Sequence, residues 1–213
     1  MTSTNQLKSK QGKRRLNLRA VAATAIFSAL GTILMILEFS VPFVPSFLKF
    51  DFSDLPALIV SFAYGPLWGV AVCLVKNLLH LPFTSSTGVG ELSNFILGTV
   101  FVLTAGIIYR FVKNKKGAII GSLAGALMMS LLQFITNYYL VYPFYSNFMP
   151  MDAIIGAYQV IIPWVDNLWK ALFAINFPFT FIKGLLDSVI CILVYKTLSP
   201  IMKYAKKDRA ANK

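Results

Sequence analysis

What most constrains this chain is where charge is missing. Residues 20–37, 92–109 and 117–151 contain no Asp, Glu, Lys or Arg. Eighteen helical residues at about 1.5 Å each reach roughly 27 Å, close to the roughly 30 Å hydrocarbon core of a bilayer. Runs of that kind cannot all be hidden inside one water-soluble globule of 213 residues. Composition agrees: 57% of residues are hydrophobic and 13% charged, against about 45–50% and about 25% in soluble domains. The chain therefore reads as an all-α, multi-pass protein of the cell membrane, in contact with lipid.

The net charge of +12 would suit nucleic acid, but its placement excludes that reading. Six basic residues lie at the N-terminus (Lys8, Lys10, Lys13, Arg14, Arg15, Arg19), four at 110–116 (Arg110, Lys113, Lys115, Lys116) and six at the C-terminus (Lys196, Lys203, Lys206, Lys207, Arg209, Lys213). Each cluster abuts an apolar run, and short basic segments stay on the cytoplasmic side of a membrane. Both termini and the 110–116 loop are expected inside. Because the basic leader precedes a full-length span, no cleavable signal peptide is expected.

These anchors fix the crossings. Helix 20–37 runs outward and helix 92–109 inward, so 51–91 crosses an even number of times. Gly65-Pro66 divides that stretch into helices at about 54–64 and 66–80, since Gly suits a helix end and Pro a helix start. The first would be only roughly 16 Å long. Its turn must be covered by protein, or the bilayer must thin, and a re-entrant hairpin stays open. A fifth helix is expected at 117–141, ending outside before Pro143. The aromatic segment 143–170 reads as an interfacial loop with a short helix at 152–162, and the last span as 174–197. The sum is six transmembrane helices: a basic segment 1–19, a six-helix transmembrane domain 20–199 and a basic tail 200–213.

Polar residues inside lipid are costly and tend to mark sites. Lys183 and Asp187 stand i, i+4 and can pair, either as a structural ion pair or with Lys183 directed into a cavity. Lys183 precedes Lys196 by 13 residues, roughly 20 Å by helical rise, so such a cavity lies nearer the outer face. Gln133, Asn137, Tyr138, Lys76, Asn77, Glu91, Ser93 and Asn94 all fall near outer helix ends. The pattern predicts an outward-opening polar and aromatic pocket, with Lys76 snorkelling to the interface. His80 reads as an interfacial polar residue, and Cys73 and Cys191 as packing residues. Neither a metal site nor a cofactor is expected. Ala25 and Ala29, beside Ala22 and Ser28, form one small-residue face, and Gly117, Gly121 and Gly125 another. Such faces let helices approach closely, within the bundle or against a partner.

There is no G-x-x-x-x-G-K-[ST], H-E-x-x-H or G-x-S-x-G sequence, so the motifs of ATP hydrolysis and of common hydrolases are missing. Binding or transport is favoured over catalysis. A membrane enzyme built on Lys183–Asp187 or Glu91 remains an alternative. Autonomous secondary transport ranks lower, because no internal repeat is visible.

Five segments together resemble a known family: "FLKFDFSDLPALI" at 47–59, "FAYGPLWG" at 62–69, "VKNLLH" at 75–80, "GVGELSNFILG" at 88–98 and "FPFTFIKG" at 177–184. They are similar to the substrate-binding S-components of energy-coupling factor (ECF) transporters, above all the riboflavin-specific branch, across about residues 16–200. The resemblance implies a vitamin site open to the outside and an ATP-driven importer. It also implies partners: a transmembrane coupling subunit and two cytoplasmic ATPase subunits, with Ala25 and Ala29 on the docking face. Asn137 in "NYYLVYPFY", Thr180 and Lys183 would hold the isoalloxazine ring, Thr180 standing where the family has a longer amide. The first loop, around Leu48, Phe50 and Asp51, would close over the ligand, with Glu91 and Asn94 as further candidate contacts. Riboflavin is then the transported ligand and ATP serves the partners. Another vitamin, thiamine or a folate, is the nearest alternative.

Overall fold

The apolar runs coil into helices because a bilayer interior leaves backbone N–H and C=O groups no partner but one another. A computed structural model describes residues 18–84 and 86–211, with side chains through residue 194. The expected basic segments 1–19 and 200–213 therefore lie almost wholly outside the described side chains.

Helix α1 spans Leu18–Ile36. A short antiparallel hairpin follows, β1 (Phe39–Ser40) pairing with β2 (Lys49–Phe50). Helices α2 (Asp54–Tyr64) and α3 (Pro66–His80) meet at Gly65, whose φ of +112° suits a residue without Cβ. Pro66 opens α3 where a missing N–H has no helical partner to lose. Helix α4 is Val89–Phe111 and α5 is Lys115–Thr136. A π-helical turn, Asn137–Val141, carries α5 into α6, Tyr142–Tyr145. After α7 (Met151–Gln159), α8 (Leu168–Ala171) passes through a second π-helical turn, Leu172–Asn176, into α9, Phe177–Ala211.

Among the described residues, five helical stretches are long and apolar enough to cross a membrane: Leu18–Ile36, Pro66–Phe83, Val89–Phe111, Lys115–Tyr145 and Leu168–Val194. The sixth apolar helix, α2, has only 11 residues. Eight of them, including Asp54, Leu58 and Phe62, are buried, and α2 packs against α1, α3, α4 and α9. Protein rather than lipid surrounds it, which accommodates a helix of roughly 16 Å.

Two boundaries differ from the sequence reading. The fifth helix passes Pro143 and ends at Tyr145, because Pro143 falls in the first turn after the π-helical segment, where a lost N–H matters little. The last span starts at Leu168 rather than at 174. The Asn167 side chain caps it by accepting the Lys170 N–H at 3.0 Å.

Packing follows residue size. A Cβ on Gly121 or on Gly125 would stand 2.7 Å from the Ala105 or Phe101 carbonyl oxygen, so the glycine series serves α4–α5 contact inside the bundle. One core, around Leu58, Val72, Phe101, Val102 and Met129, fills mid-bundle. A second, around Tyr142, Ile154, Tyr158, Leu172 and Ile175, holds the α6–α8 region. Large apolar side chains such as Ile33, Ile120, Leu131, Phe173 and Ile182 face outward, as lipid contact requires.

Candidate functional site

Four charged side chains meet in the bundle beneath the β-hairpin. β2 leads directly into Asp51, whose Oδ1 accepts the Ser53 N–H at 2.8 Å and so shapes the entry to α2. Asp54 begins α2, where the helix dipole favours a carboxylate. Lys76 of α3 donates to Asp54 Oδ1 at 2.7 Å and to Ser53 Oγ at 2.5 Å. Lys183 of α9 donates to Asp51 Oδ2 at 2.8 Å and stands 3.8 Å from Asp54 Oδ2. Gly98 and Gly31 make the room: a Cβ on Gly98 would lie 2.6 Å from Asp54 Oδ1, and one on Gly31 3.3 Å from Lys76 Cδ. Burial works against ionisation of Asp51, but the Lys183 and Lys76 ammonium groups outweigh it and hold its carboxyl at about 2.

This geometry corrects two sequence expectations. Lys183 does not pair with Asp187; it reaches Asp51, because β2 delivers a carboxylate to its ammonium group. Asp187 is fully buried and neither of its oxygens has a hydrogen-bond partner. Lys76 does not snorkel: it is fully buried, with Asp54 and Ser53 as its reasons to stay.

A separate polar cluster joins the end of α3 to the start of α4. His80 Nδ1 lies 2.9 Å from Glu91 Oε1, while Thr84 and Ser86 donate to Glu91 Oε2 at 2.8 and 3.1 Å. His80 and Glu91 are each 5% exposed, so His80 is a buried clasp rather than an interfacial residue. Glu91 spends both oxygens on the 80–86 segment. Asn94 is directed elsewhere, its amide towards Met35 Sδ at 3.8 Å. Half-buried Glu38 lies electrostatically between the two clusters. Burial and Asp51 raise its carboxyl, against His80, Lys49 and Lys183.

A cavity of about 310 Å³ opens beside the Glu91 cluster, among Phe47, Ser86, Thr87, Tyr142, Tyr145 and Ile154. Apolar rings and a few hydroxyls suit a flat organic molecule with a polar fringe. None of these residues was singled out from sequence; the aromatic density of 142–148 was the available signal. Ser86 and Thr87 sit just before α4, and the 23 residues of α4 put roughly 34 Å between them and the exposed basic turn at 110–116. Cavity and basic turn thus lie at opposite ends of the bundle.

Of the remaining expected residues, Asn137, Thr180 and Phe50 are buried near these features. Asn137 opens the first π-helical turn at 7% exposure, and Thr180, at 8%, lies on α9 one residue from Phe179, whose ring meets Phe50 edge-on at 5.8 Å. Leu48 packs into the outer core. Ala25 and Ala29 are exposed on α1. Cys73 and Cys191 are buried free thiols, and among the described residues no group of three or more His, Cys, Asp or Glu is placed to hold a metal ion.

Fold and site define a multi-pass membrane protein of the binding type, with a small-molecule cavity at one end. Residues 19–195 match the family "ECF transporter, substrate-specific component", and the chain belongs to that family. It is 34% identical over 195 residues to the riboflavin transporter RibU of Staphylococcus aureus, covering 90% of this chain and 98% of that one. It is 33% identical over 200 residues to the riboflavin transporter FmnP of Bacillus subtilis, covering 92% and 99%. A solved structure, described as the S component of a bacterial ECF transporter, superposes with a TM-score of 0.67 at 33% identity, covering 87% of this chain and 98% of that one.

Proposed function

We propose that this chain captures riboflavin from the outer side of the membrane as the substrate-binding subunit of an ECF importer. The observation that carries the reading is the aromatic, hydroxyl-fringed cavity, in a chain one-third identical over about nine-tenths of its length to relatives named for riboflavin transport. The isoalloxazine ring needs flat apolar walls and fixed donors at its edge, which Asn137, Thr180 and Lys183 supply. The ribityl hydroxyls need partners such as Ser86, Thr87 and Tyr145. Leu48, Phe50 and Asp51 bring the first loop over the ligand. Asn94, whose amide is turned towards Met35, is a further candidate contact, whereas Glu91 acts by holding the 84–87 segment in place.

Six crossings with both termini inside fit this reading, because the basic 110–116 turn lies opposite the cavity. The membrane coupling subunit then docks on the exposed Ala25 and Ala29 face of α1, and the two ATPases act on the cytoplasmic side. Purified protein should bind riboflavin and quench its fluorescence; failure to bind at micromolar concentration overturns the reading. Ala25→Trp should leave flavin binding unchanged while abolishing co-purification of the coupling subunit, since an indole keeps the helices apart.

A further inference from the structure

The two π-helical turns lie at the cavity end of their helices. In the first, the Tyr142 N–H donates to the Asn137 carbonyl, so Tyr142 stands one widened turn beyond Asn137 instead of being rotated away from it. In the second, the Phe177 N–H donates to the Leu172 carbonyl. Asn176, Thr180 and Lys183 then follow at i, i+4 and i+7, along one helix face.

The side chains at the two turns meet over α7. Tyr158 Oη donates to Asn176 Oδ1 at 2.7 Å, Asn176 Nδ2 donates to Tyr142 Oη at 2.8 Å, and the Tyr142 and Tyr158 hydroxyls are hydrogen-bonded to each other. Since Tyr158 gives its proton to Asn176, the Tyr142 hydroxyl must donate to Tyr158. Every member gives one hydrogen bond and takes one, so the ring is closed. Its members are at most 2% exposed. Apolar contacts alone allow sliding; a closed buried polar ring fixes one arrangement.

We propose that the Tyr142–Tyr158–Asn176 ring is the positioning device of the binding site. It sets the spacing between Asn137 on one helix and Thr180 and Lys183 on the other, and pins α7, whose Ile154 lines the cavity. As regards the ligand, the inference rests on the riboflavin reading; the mechanical part stands apart from it.

The test uses full-length protein in lipid nanodiscs. Tyr158→Phe and Tyr142→Phe each delete one hydroxyl with little change of volume, and either breaks the same ring, so one folded variant suffices. The riboflavin Kd should rise about tenfold, the scale of the two modest hydrogen bonds that each hydroxyl makes, mostly through faster dissociation. The double variant should lose far less than the product of the two single losses, because both break the same ring. Independently of ligand, nitroxides placed at exposed Tyr139 and Ile182 should show a narrow distance distribution that Tyr158→Phe broadens. Unchanged Kd in both single variants, multiplied losses in the double, or an unbroadened distribution overturns the ring. Should the native protein bind no riboflavin, the flavin reading fails and the label distances alone decide.

Discussion

The Asp51–Lys183–Asp54–Lys76 group and the Tyr142–Tyr158–Asn176 ring both tie α9 to the rest of the bundle, one through charge and the other without it. The ionic group joins α9 to the first loop, α2 and α3. Its members attract over several ångströms, so small shifts of a helix matter little, but losing one member strands a buried charge. The neutral ring joins α9 to α6 and α7. Losing one hydroxyl strands no charge, yet its bonds are short-ranged and directional, so geometry is what it protects. The contrast teaches a division of labour: charge secures the assembly of the bundle, and neutral hydrogen bonds secure the distances at its cavity end.

The contrast breaks most visibly at Lys183. Lys183→Met strands Asp51 and should destabilise the protein by about 3–5 kcal/mol, with riboflavin binding abolished; thermal unfolding and fluorescence titration measure the two losses. Adding Asp51→Asn should recover most of the stability but not the binding. Next, Lys76→Met alone should cost about 3 kcal/mol, and Lys76→Met with Asp54→Asn much less, a non-additivity that a double-mutant cycle reads directly. Asp187→Asn should change stability by less than about 1 kcal/mol. Three carboxylates face two ammonium groups here, and Asp187 is the one without a hydrogen-bond partner. Stability also depends on pH through Asp51. Asp51 sits at about 2, below its ordinary 3.8, so its stabilisation is full above about pH 4 and fades as pH falls through 2. Unfolding midpoints measured from pH 5 to pH 2 should fall more steeply in the native protein than in Asp51→Asn.

Much of the fold was legible because its causes are local. Uncharged length gave the long helices, Gly65-Pro66 gave the α2–α3 break, and the glycine series marked a close-packing face of α5, though not that α4 is its partner. The π-helical turns were not legible, since i→i+5 bonding is decided by partners in other segments and not by residue type. The same holds for the ions. Asp187 stands four residues from Lys183 in sequence, yet Asp51, 132 residues away, takes the hydrogen bond. His80 and Glu91 could be noticed singly, but their clasp depends on how residues 81–88 fold back. A polar and aromatic pocket is legible in the sequence, but its lining is not, because Phe47, Ser86 and Tyr142 come from three separate segments with no shared motif.

The long reach from Asp51 to Lys183 also bears on how the protein matures. During synthesis the first loop and α2 leave the ribosome well before α9 exists, carrying two carboxylates destined for an apolar interior. Lys76 soon arrives to match one of them. The other waits until the final helix inserts, so Asp51 gains its ammonium partner only after synthesis has reached Lys183.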